Sequence, residues 1–145
     1  MPRFSHTVTA AASIEDAWVT LQDAGVWGSL LGAAEVGDIS VEDGLLQGAS
    51  WTAKIGGTTL KGTMTVETST PVDYMDVMVR TSEWRCRIEM VLTDQESNDP
   101  ETEVHSRVHL SADGLTAMLA LPVVSNVIGK YFPDRLQDLA EMMAE

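Results

Sequence analysis

The chain has 145 residues, a formal net charge of -13 and 44% hydrophobic residues. That is enough apolar chain for one core, so a single domain over 1–145 is expected. Negative charge of this size repels phosphate backbones, which sets nucleic acid aside as a partner, and the one cysteine, Cys86, excludes an intrachain disulfide and a thiolate metal cluster.

The first residues, MPRFSHTVTA, contain no apolar h-region, so no signal peptide is expected. Together with the lone cysteine, this fits a cytoplasmic protein. Within RFSHTVTA, Phe4, His6, Val8 and Ala10 share one face and Ser5, Thr7 and Thr9 the other, the pattern of a half-buried strand. SIEDAWVTLQD follows. Ser13 and Asp16 approximate a capping box, and Ile14, Ala17, Trp18 and Leu21 form the apolar side of a short helix. A second short helix is expected around Ala24 to Leu31, with Val26, Trp27, Leu30 and Leu31.

From Ala34 to about Ser111 the pattern is strand. Asp43-Gly44 and Gly56-Gly57 are turn signals, and Thr70-Pro71 ends a strand. Ala49, Trp51, Ala53 and Ile55 share a face, as do Leu60, Met64 and Val66. In YMDVMVRT, Met75, Val77 and Val79 are expected inward, with Asp76 on the solvent side. EWRCRIEMVLTD alternates most cleanly: Trp84, Cys86, Ile88, Met90 and Leu92 inward, Arg85, Arg87 and Glu89 outward. After the polar loop QESNDPE, Val104, Val108 and Leu110 face inward in a last strand.

The tail is helical. Leu121, Val124, Ile128, Phe132, Leu136, Leu139 and Met143 recur at helical spacing. Leu115, Met118 and Leu119 would make a separate first turn, with Pro122 near the start of the main helix and a kink or restart near Phe132 caused by Pro133. The uncharged window from Leu115 to Gly129 is shorter than the ~20 residues a bilayer needs, so no membrane span is expected.

The order is strand, two short helices, six antiparallel strands and a long helix. It predicts an α+β, helix-grip architecture: a seven-stranded curved antiparallel sheet wrapped around the C-terminal helix, with a cavity between them. The segments VTAAASIEDAWVTLQD, LLGAAEV, GGTTLKGTMTV and GLTAMLA…KYFPDRL carry a resemblance over nearly the whole chain. It is to the START-like, or SRPBCC, superfamily, whose fold is shared with the birch-pollen-allergen group. Within it the chain is most similar to the polyketide cyclase/dehydrase-like proteins and to the G-type carbon monoxide dehydrogenase subunits. Where the latter usually carry Pro-Gly, this chain has Leu31-Gly32. The resemblance implies binding of a hydrophobic small molecule or lipid and, in some members, chemistry on it. The carbon monoxide dehydrogenase likeness implies recruitment or maturation of a partner complex.

The candidate cavity residues are Trp51, Met64, Trp84, Cys86, Met90 and Met118, all on predicted inward faces, with His6 beside Phe4 and Val8. Methionine adapts to irregular apolar shapes and tryptophan supplies a large apolar wall with one N–H donor. The same residues equally suit an ordinary core. His6 is a candidate general base or ligand-orienting group, or else a strand-end histidine near the surface or a core histidine bonded to a backbone carbonyl. His105 and His109 share the outward face of a strand. They lie ~13 Å apart there, too far for one metal ion, and are expected as exposed surface histidines. Arg80, Arg85 and Arg87 mark either a carboxylate-binding edge or a salt-bridged solvent face. No catalytic constellation, cofactor motif or metal set emerges. The readings are a binding module, a cyclase/dehydratase-like enzyme needing a polar pair inside the cavity, and an interaction protein; the chain is expected as a monomer or dimer.

Overall fold

A computed structural model describes residues 3–55, 58–95 and 97–145, with backbone alone at 55 and 58. Its elements are β1 (Arg3–Ala10), α1 (Ile14–Leu21), α2 (Ala24–Leu31), β2 (Glu35–Glu42), β3 (Leu45–Ile55), β4 (Thr58–Thr70), β5 (Tyr74–Arg80), β6 (Trp84–Gln95), β7 (Glu101–Ala112) and α3 (Leu115–Met143). The seven strands form one antiparallel sheet in the order β1-β7-β6-β5-β4-β3-β2. The Gly56-Gly57 turn and the Ile55 side chain lie outside the described residues.

Local chemistry explains the helix boundaries. The Asp16 backbone N–H donates to Ser13 Oγ at 3.1 Å, which starts α1. The Gly25 N–H donates to Asp23 Oδ1 at 2.8 Å, which starts α2, and Gly32 ends it with φ 71°, a conformation that costs glycine little. Arg135 of α3 then donates to the Ser29 carbonyl at 2.9 Å, tying the long helix to that end of α2.

The inward face of the sheet carries Ala49, Trp51, Met64, Met75, Val77, Val79, Ile88, Met90, Leu92, Val104 and Val108, all buried. The predicted alternation therefore holds on the strands that form the floor. Asp76 is a correction. It does lie on the outward face, but it is only 2% exposed. Cross-strand pairing sets it beside Glu89 and diagonal to Arg87, whose Nε donates to Asp76 Oδ1 at 2.9 Å. The guanidinium covers the carboxylate, so outward does not mean solvated here.

The tail also departs from expectation. α3 is one helix from Leu115 to Met143, with both prolines inside it, so there is no separate first turn and no restart at Phe132. Pro122 falls in the exposed first half. There the Met118 carbonyl, left without its usual donor, can be met by water. Pro133 is held between Phe132 and Leu136, whose burial in the core anchors the helix on both sides of it. Close approach of α3 to β1 depends on Gly129, because a Cβ there would sit 2.7 Å from Cε1 of Phe4. The C-terminal half of α3 buries Phe132, Leu136, Leu139, Ala140 and Met143. The N-terminal half buries only Ala117 among the described residues; Leu121, Val124 and Ile128 face the floor but are half-buried. That difference is where the cavity lies.

Candidate ligand cavity

Between the sheet and the first half of α3 is a cavity of about 470 Å³. Its floor comes from five strands: Trp51 of β3, Leu60 of β4, Val79 of β5, Trp84, Cys86 and Ile88 of β6, and two residues of β7. Val108 and Leu110 of β7 complete it. The roof is Val123, Val124, Val127, Ile128 and Phe132 of α3, and Leu30 and Leu31 at the end of α2 close one side. A volume in this range suits a small drug-sized molecule.

Few polar atoms reach this wall. Thr81 Oγ1 accepts from the Trp84 N–H at 3.0 Å and from the Glu83 N–H at 3.3 Å, which folds the β5–β6 turn. Its hydroxyl proton is left to donate elsewhere. The Trp51 indole Nε1 is buried with no hydrogen-bond partner among the described residues. Burial pushes the Cys86 thiol up to about 12, so at neutral pH it is protonated and a poor nucleophile. The indole of Trp51 lies flat over Gly62, its cross-strand partner, with Cζ2 and Cε2 occupying the place a Cβ would take.

The structure gathers three of the expected residues, Trp51, Trp84 and Cys86, at the cavity. Met64 and Met90 lie on the same inward face but are packed in the core, at 3% and 0% exposure. His6 is half-buried on β1 and is not among the lining residues. Met118 is a correction: it is 60% exposed and turned away from the floor. The inward phase of α3 runs through Ala117, Leu121, Val124, Ile128 and Phe132, and one further residue rotates a side chain by about 100°. Leu30, Leu31, Thr81, Val123 and Val127 line the cavity without having been expected there. The first two had a signal, an apolar pair just before the helix-ending Gly32.

A second depression, of about 420 Å³, lies on the outward face of β1, β7 and β6, lined mainly by Arg3, Ser5, Arg87, Glu89, Arg107 and His109. Its arginines are largely committed. Arg87 pairs with Asp76, and Arg107 Nε lies 3.4 Å from Glu89 Oε2. Nearby, Arg85 is 2.9 Å from Asp113. Asp76, by hydrogen bond and charge, raises the Arg87 guanidinium further above its ordinary value. For Arg85 and Arg87 this is the salt-bridged alternative, not a free carboxylate-binding edge. His105 and His109 lie on this face as expected but are half-buried rather than exposed, with His105 Nδ1 2.7 Å from Thr7 Oγ1. Among the described residues no three of His, Cys, Asp and Glu are grouped to hold a metal ion.

No protein-family model matches the chain, and no curated protein matches it by sequence. Solved structures do match its shape. A conserved protein from Geobacillus kaustophilus superposes with TM-score 0.75 at 12% identity, covering 99% of this chain and 95% of that one. A START superfamily protein from Mycobacterium smegmatis gives 0.68 at 14%, covering 98% and 96%. The Zhui aromatase/cyclase from Streptomyces sp. R1128 gives 0.66 at 12%, covering 96% and 93%. Curved seven-stranded sheet, paired short helices and long gripping helix together give this chain the START-like, helix-grip fold.

Proposed function

We propose that this protein binds a hydrophobic small molecule or lipid between its sheet and α3. The observation that carries this is the cavity itself: about 470 Å³, walled almost wholly by aliphatic and aromatic side chains. Closing such a volume with no occupant forfeits dispersion contacts along its whole lining, and an apolar ligand restores them. The START superfamily and aromatase/cyclase likenesses support a ligand-binding fold. They do not choose a reaction, because fold alone does not set function. A cyclase or dehydratase would need an acid and a base at the ligand. The lining offers the Thr81 hydroxyl, the Trp51 N–H and a protonated Cys86, with no carboxylate or imidazole among the described residues. Binding is therefore favoured over catalysis, in a cytoplasmic setting consistent with one unpaired cysteine.

The test is a titration with Nile red, a neutral apolar fluorophore. Wild-type protein is expected to bind it saturably at one site, with the emission shift of an apolar environment. Val124→Trp or Ile128→Trp, each placing a larger ring under the roof, lowers affinity at least about tenfold, or ~1.4 kcal/mol. Saturable binding that is indifferent to both substitutions would place the dye elsewhere and count against the cavity.

A further inference from the structure

The first half of α3 is apolar on both sides. Inward it roofs the cavity. Outward it presents Leu115, Met118, Leu119, Val123, Val127 and Tyr131, each between 51% and 76% exposed. Elsewhere among the described residues, large apolar side chains this exposed are scattered: Val19 on α1, Ile39 and Val41 on β2. From Gly114 to Gly129 the chain has no Asp, Glu, Lys or Arg, although its net charge is -13. A contiguous face of this kind marks an interaction site.

We propose that this face pairs with the same face of a second copy of the chain, the two α3 helices running antiparallel about a two-fold axis near Pro122. Three observations select this occupant. The first is area. Six large apolar side chains, each more than half exposed, are covered in each copy, an apolar patch of the size a standard interface of ~800 Å² per partner is built around. The second is charge. Two copies at -13 repel each other over much of their surface, and on this face contact carries no such penalty.

The third is the placement of the end charges. Asp113 precedes the uncharged run and Lys130 follows it. Antiparallel pairing centred on Pro122 sets Asp113 of one copy against Lys130 of the other, while parallel pairing sets like against like. Asp113 already bonds Arg85, but its side chain remains 45% exposed and open to a second cation. A lipid surface is a poorer match. Helices that lie in membrane interfaces carry Lys or Arg along the polar face, and this half of α3 has only Lys130. The pairing has a consequence for the cavity. Val123 and Val127 belong both to its lining and to the exposed face, so the second copy packs against the outer side of part of its roof. The dimer itself does not depend on what the cavity holds.

Sedimentation velocity of the full chain tests this. A reversible dimer is expected below about 100 μM, with Leu119→Glu and Val123→Glu each raising the dissociation constant at least about tenfold. Val19→Glu, on α1, leaves it unchanged, and circular dichroism confirms that each variant is folded. Orientation is read by cross-linking. A short bismaleimide joins two copies of Val123→Cys, close to the axis, but not two copies of Leu115→Cys, about 20 Å apart in this arrangement. A chain that stays monomeric at 200 μM overturns the proposal. So does equal cross-linking of the two cysteine variants, or flotation of a monomer on phosphatidylcholine vesicles.

Discussion

Gly62→Val is expected to cost about 3 kcal/mol or more of stability, and Gly62→Ala about 2. Gly62 sits opposite Trp51 in the β3–β4 ladder, and the indole lies where a side chain would begin. A Cβ at this position would also stand 2.6 Å from the Arg80 carbonyl, a backbone atom that cannot swing aside. Glycine is thus the means by which a tryptophan is laid flat as a cavity wall. Displacing that ring also deforms the cavity, so apolar ligand binding falls along with stability. Urea denaturation measures the effect. In a Trp51→Leu background the cost of Gly62→Ala shrinks by at least about 1 kcal/mol, since the two sites are in direct contact. A Gly62→Ala change of less than about 0.5 kcal/mol would mean the indole is not held there.

The second large effect is an asymmetry on the outward face. Arg87→Ala is expected to destabilise by about 2–3 kcal/mol, and Asp76→Ala by only about 1. The reason is unequal burial: the Asp76 side chain is 3% exposed and that of Arg87 48%. Removing the arginine strands a buried carboxylate among Glu89 and Tyr74, whereas removing the aspartate leaves a guanidinium that water can reach. The first figure is below that of a fully buried pair because the arginine is itself half in solvent. The double variant Asp76→Ala/Arg87→Ala should be more stable than Arg87→Ala alone. Equal costs for the two single changes would show that the carboxylate is not desolvated.

Much of the fold is legible in the sequence because its signals are local. Period-two alternation places Trp84, Cys86, Ile88, Met90 and Leu92 on one side of β6, and Ser13 marks the start of α1 by the hydrogen bond its own side chain accepts. What escapes depends on neighbours remote in sequence. Alternation puts Asp76 on the correct face, but its burial comes from Arg87 through the β5–β6 register. Proline's local preference argues for breaks in α3, and packing of Phe132 and Leu136 overrides it. The cavity shows the same limit. Cys86 and Met90 share a strand face and an inward direction, yet one is wall and the other core, because α1 packs against β6 and the space under the first half of α3 stays open. Met118 misses the inward face by a single residue of helical phase.

The central claim is that the space under α3 is made to be filled by an apolar molecule. Native mass spectrometry of the protein purified without detergent tests it most directly, paired with organic extraction and analysis of what is released. The expected result is a mass above that of the 145-residue chain by one small molecule, lost on extraction and missing from Ile128→Trp prepared in parallel. Bare chain mass in every preparation, with no uptake when lipid extract or apolar metabolites are supplied, would contradict it.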